Sequence, residues 1–236
     1  MSSGSLGRCR VAALGVALLL GSVSAGLAAP EDAIVPVEQY TTPKAKSLAA
    51  RYKTHLLKFS EQIYHCLPWV GVLKNGIGFR QPKGVDSDDR YLSVWIAIDQ
   101  SDDGTFAKLP QARRVSAMFS RYGVDMLRRM TALAEIASDA NVHGFSVVLT
   151  WLKPSNTATD VLQPTNETLA LFADKSSVHD FLAKRLPGAE FTRRAMFTLF
   201  DGKDPLGRVP LEVWEDSFNS TYKLKNYELE KGITCG

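Results

Sequence analysis

From Tyr91 to Ile98 the chain is apolar on both of its alternating faces. The run Tyr91-Leu92-Ser93-Val94-Trp95-Ile96-Ala97-Ile98 is short and rich in β-formers, so it predicts a strand covered on two sides. The period then changes. Val115, Met118, Tyr122, Met126, Met130, Leu133 and Ala137 recur at steps of three and four, which aligns them along one side of a helix over Pro110–Ala137. Asn141 and Gly144 supply turn chemistry, and Phe145–Leu152 reads as a second apolar strand, ended by Lys153-Pro154. A strand, a crossover of about 45 residues carrying one helix, and another strand are the parts of a parallel βαβ unit.

Other elements extend this framework. Thr42 caps a helix over Pro43–Cys66, with Pro43 at its first position and Leu48, Tyr52, Leu56, Phe59, Ile63 and Leu67 inward. Asn75-Gly76 predicts a tight hairpin between Val70–Leu73 and Ile77–Phe79. Pro82–Arg90 is a polar loop, as is Pro154–Glu167, and a helix follows from Thr168 or Ser176 to Arg185. Ala195–Phe200 is a third clear strand, turning through residues 201–207 into Val209–Trp214, an edge strand because Pro210 cannot donate to a ladder. Residues 215–236 are polar and expected at the surface. The fold class is α/β, with α+β as the alternative: one mixed sheet of about five strands with two long helices packed on it.

Residues 1–28 stand apart. Arg8 and Arg10 precede an apolar run from Val11 to Gly21, and small residues follow to Ala28, the layout of a signal peptide cut after Ala28. An uncleaved anchor is the alternative, since Val11–Ala29 is 19 residues long. The expected organisation is a signal peptide (1–28), an extended leader (29–42) and one α/β domain (43–236). The product would be secreted or periplasmic, touching membrane only peripherally.

Removing that segment changes the charge argument. The 236 residues carry +3, but Arg8 and Arg10 leave with the leader, so 26 basic residues face 25 acidic ones. The compositional case for nucleic acid goes with them. The cut also removes Cys9, and Cys66 and Cys235 then read as a disulfide tying the tail to the body, with Cys66 as a reactive thiol beside His65 the rival reading.

Candidate chemistry is sparse. His55, His65, His143 and His179 are scattered, no C-x-x-C occurs, and Asp99, Asp102 and Asp103 miss the register of a calcium loop, so neither metal nor cofactor is expected. No nucleophile elbow is present, and the acidic clusters at Asp86/Asp88/Asp89 and Asp102/Asp103 fall in solvated loops, so the chain leans away from being an enzyme.

Two surfaces remain. Ligands of open α/β sheets gather beyond the carboxyl ends of the strands, which here brings Asp99, Trp151, Lys153 and Asp201 together as a candidate ligand site, for an enzyme or a small-ligand-binding protein. Arg114, Arg121 and Arg128, seven apart, share one side of the central helix away from its apolar stripe. With Lys44, Lys46, Arg51, Lys53 and Lys58 on the first helix they form basic faces for an acidic protein or an anionic envelope component. Ordinary helical pairing of the arginines with Asp125 is the bland account of that ridge. The expected function is an exported, non-enzymatic binding or accessory protein.

Overall fold

The two framework strands do lie side by side and point the same way. Among the residues that this computed structural model describes (28–67, 70–99, 104–153, 166–209 and 211–213), the strands are β1 (Val70–Arg80), β2 (Arg90–Ile98), β3 (Val142–Leu152), β4 (Asn166–Asp174), β5 (Met196–Asp201) and β6 (Asp204–Gly207). They form one sheet in chain order. β2 and β3 are parallel from Leu92–Phe145 to Ile98–Trp151, and every other neighbouring pair is antiparallel, so β5 runs the same way as β3. The apolar leader, Cys9, Trp69, Asp102, Asp103, Pro210, Trp214 and Cys235 lie outside the described residues.

The helices are α1 (Pro43–Cys66), α2 (Gly104–Ala107), α3 (Gln111–Met118), α4 (Val124–Thr131), α5 (Ala134–Ser138), α6 (Lys175–Leu182) and α7 (Gly188–Arg194), with a π-helical turn, Phe119–Gly123, joining α3 to α4. Thr42 caps α1 through its hydroxyl, as its sequence predicts. The inward residues of the sheet are Phe79, Leu92, Val94, Phe145, Val147, Leu169, Leu171, Phe197 and Leu199, which the cross-strand pairing puts on one face. The helices meet that same face. Tyr52 of α1 touches Phe79, Phe119 touches Phe197, and Phe181 of α6 stacks on Phe191 of α7, which in turn meets Phe197. Val115, Met118, Tyr122, Met126 and Met130 are buried there, each burial stabilising by about 1.5–3 kcal/mol.

The two-sided cover expected for β2 holds over its first half, where Tyr91 and Ser93 on the opposite face are buried, and is lost farther along. Val35 and Tyr40 cross over Gly78, where a Cβ would strike the Tyr40 hydroxyl, and Tyr40 accepts a hydrogen bond from the Phe79 N–H. Farther along, Trp95 remains 38% exposed, and Leu152 and Met196 are exposed as well.

Three further expectations are corrected. Asn75-Gly76 does not reverse the chain: β1 runs through it as a bulge, five steps from Val72 to Ile77 facing two on β2, from Ile96 to Val94. The leader takes up the freed hydrogen bonds, Asn75 N donating to Asp32 O, Val35 N to Ile77 O and Ile77 N to Ala33 O, so no hairpin partner is needed. The stretch after Asn166 is strand rather than loop or helix, because Glu167, Leu169, Leu171 and Ala173 alternate into the core between β3 and β5. Among the described residues the last strand is Asp204–Gly207, and Val209 and residues 211–213 are not in a strand. Gly202, at φ 60, allows a two-residue turn directly after β5, and residues 211–213 instead cross α3, where Glu212 N donates to Ser116 Oγ at 3.0 Å.

Candidate functional site

At the carboxyl ends of β2, β3 and β5 a polar cluster is closed into the protein. Trp151, Glu167 and Asp201 are cross-strand neighbours on three successive strands, and α3 begins directly over them. Glu167 is 0% exposed, a position that demands full hydrogen bonding of its carboxylate. It receives it. Arg114 donates through Nε to Oε2 at 3.0 Å and through Nη2 to Oε1, Trp151 Nε1 donates to Oε2 at 2.8 Å, and Gln111 Nε2 to Oε1 at 3.3 Å. Arg114 Nη1 also caps the Leu109 carbonyl. Beside this cluster, at the half-exposed rim, Lys153 Nζ pairs with Asp201 Oδ2 at 2.6 Å.

The predicted ligand residues therefore converge only in part. Trp151 is present but 1% exposed, its indole N–H spent on Glu167. Lys153 and Asp201 form one ion pair. Asp99 is exposed beyond the end of β2, and no hydrogen bond or ion pair joins it to the other three. Sequence reasoning missed Glu167 and Gln111. The signal for Glu167 was a single acid at an inward position of an alternating strand.

The arginine ridge does not form. Arg114 is 9% exposed and held by Glu167, whereas Arg128 is exposed and Arg121 sits over the Tyr122 ring, 5.8 Å from its centroid. The π turn between them explains this. Its wider winding shifts the phase of everything after it, so a seven-residue interval no longer returns to the same side. Arg129 is paired with Asp125 at 2.8 Å. On α1, by contrast, Lys46, Lys53 and Lys58 are exposed; Lys44 reaches the Asp88 carbonyl and Arg51 pairs with Asp139.

At the opposite end of the parallel strands, Asp139 ties α1 to the α5–β3 turn. It accepts from Tyr52 Oη, Arg51 Nη1 and the Asn141 N–H, each at 2.8 Å. Burial works to raise its pKa, but the Asn141 and Tyr52 hydrogen bonds and the Arg51 charge outweigh it, leaving the carboxyl below its ordinary 3.8. Burial lowers the neighbouring Lys175, whose Nζ donates to the Asp139 carbonyl.

Cys66 is the one cysteine among the described residues; Cys9 and Cys235 lie outside them. Among the described residues no group of three or more His, Cys, Asp or Glu is placed to hold a metal, and no helix is long and apolar enough to cross a membrane. No family model matches the chain, and neither a curated protein nor a solved structure matches it.

Proposed function

We propose that the chain is an exported, non-catalytic binding protein of the cell envelope or extracellular space whose partner is an anionic surface met by the outer side of α1. The observation that carries this reading is the state of the cations. Arg114 and Arg129 are saturated by Glu167 and Asp125, while Lys46, Lys53 and Lys58 stand exposed with no acid paired to them among the described residues. Lys46 and Lys53 lie seven apart on one line of α1, and Glu61 is the sole acid on that helix. Near an anionic surface each lysine contributes about 1 kcal/mol. The sealing of Glu167 and Trp151 favours this over a reaction site at the strand ends. Export is supported by the pattern of residues 1–28, and we assign Cys66 and Cys235 as the disulfide pair that an oxidising compartment would keep.

The experiment is co-sedimentation of the full chain with phosphatidylglycerol vesicles and with neutral phosphatidylcholine vesicles, at low and at physiological salt. The chain should sediment with the anionic vesicles alone and less at higher salt. Replacing Lys46, Lys53 and Lys58 by Gln should weaken that binding by on the order of 100-fold. A triple variant that binds like the parent, or a parent that ignores anionic vesicles, overturns the reading.

A further inference from the structure

The sheet face turned away from the helices is open beyond the first half of β2. Trp95, Leu152 and Met196 are exposed there, and Val148, Ala170 and Phe172 are half-buried around them. The register sets these side chains on four neighbouring strands, with Val148 opposite Ala170 at the centre and Trp95 beside Val148. Four strands about 4.8 Å apart, followed for about eight residues at about 3.3 Å each, make a face of roughly 500 Å². Few monomers leave that much apolar surface bare.

Although 22% of the chain is charged, no outward position carries a charge from Ser93 to Ala97 on β2, Ser146 to Leu152 on β3, Asn166 to Phe172 on β4 or Met196 to Phe200 on β5. A charged partner finds no counter-charge on it. The polar groups at its centre are bonded within the face. Trp95 Nε1 donates to Thr150 Oγ1 at 2.8 Å, and the Thr150 and Thr168 hydroxyls bond to each other at 3.1 Å. Drying the face therefore leaves none of these three groups without a partner.

We infer that the occupant is a second copy of this chain, packed sheet to sheet about a two-fold axis. Such an axis sets the same uncharged surface on both sides of the contact, so no charge is buried. The area agrees with a weak, reversible dimer: two such faces together bury roughly 1,000 Å², the lower bound of a specific interface. Trp95 is the anchor, a large aromatic held in place by its bond to Thr150. The sheet edges offer no rival route, because residues 32–35 bond along β1 and β6 is four residues long with Pro205 in it. α1 packs on the other face, where Tyr52 touches Phe79, so the dimer carries its two lysine rows on opposite outer sides. Where α1 meets an anionic surface, one dimer joins two of them.

Sedimentation equilibrium of the full chain without lipid, from about 1 to about 200 µM, tests this and should give a dissociation constant on the order of 10 µM. Ala170→Glu and Ala170→Lys each set like charges against each other at the centre, and each should weaken the dimer at least about tenfold with far-UV circular dichroism unchanged. Mixing the two variants should restore association, which misfolded variants could not do. A full chain that stays monomeric throughout, its face bare or taken by another occupant, overturns the inference. So does a dimer that Ala170→Glu leaves intact, or a mixture that fails to associate. No anionic surface is present, so none of these failures touches the reading of α1.

Discussion

The guanidinium of Arg114 and the carboxylate of Glu167 meet as a two-toothed ion pair between α3 and β4, 53 residues apart in the chain and both buried. The pair fastens the first turn of α3 to the ends of β3 and β4, with Trp151 and Gln111 satisfying the remaining acceptor sites. Open α/β sheets commonly bind ligands at this place. In this chain the same place holds a closed lock with one ion pair, Lys153–Asp201, at its rim.

Asp139 makes stability acid-sensitive. Its folded-state pKa lies below 3.8, so in acid the unfolded chain takes up the proton first. The stabilisation is therefore complete above the unfolded value and is lost as pH falls through the folded one. Asp174, which caps α6 by accepting from Ser177 N at 2.8 Å, is also lowered: burial works against this and its serine hydrogen bonds prevail. Asp139→Asn should cost about 1–3 kcal/mol at neutral pH and flatten, without abolishing, the fall in stability below pH 3.8. Urea unfolding followed across that range checks it; a slope equal to the parent's would contradict it.

Gly144 is required by close approach of backbone. A Cβ there would lie 2.1 Å from the Ala173 carbonyl oxygen and 2.8 Å from the Tyr91 ring. Gly144→Ala should destabilise by about 1–3 kcal/mol, with faster amide exchange concentrated at the β3–β4 pair around Asp174. A change under about 0.5 kcal/mol would show that the strands separate freely.

If Cys66 is bonded to Cys235, reduction should lower stability by about 4–5 kcal/mol in the chain-entropy picture. Cys235→Ser should reproduce the reduced protein, and Cys9→Ser should leave the parent unchanged. The reverse pattern would assign Cys9 as the partner.

Much of the scaffold was legible because burial imposes periodicity. The parallel pair β2–β3, the inner side of α1 and the methionine-lined stripe all followed from apolar spacing. Convergence of Lys153 and Asp201 followed from strand direction alone. Arg114 was misplaced because its acid, Glu167, sits on a strand the residue pattern did not show, and Arg128 because nothing announced the π turn that changes the winding after Met118. β4 was missed because Thr-Leu-Ala-Leu-Phe-Ala has a helix former's composition, and only its neighbours β3 and β5 make it a strand. Glu167 was lost with it, since a buried acid is recognisable only once its distant arginine is known.

The account turns on the strand-end cluster being a structural lock. A double-mutant cycle on urea unfolding, with Arg114→Met, Glu167→Leu and the pair combined, measures this directly. Each single change should cost about 3–5 kcal/mol, because it strands a buried charge or donor, and the double variant should cost no more than either single. Singles that cost under about 1 kcal/mol, or a double variant whose loss equals their sum, would mean that the two groups act independently and that the cluster is open to other work.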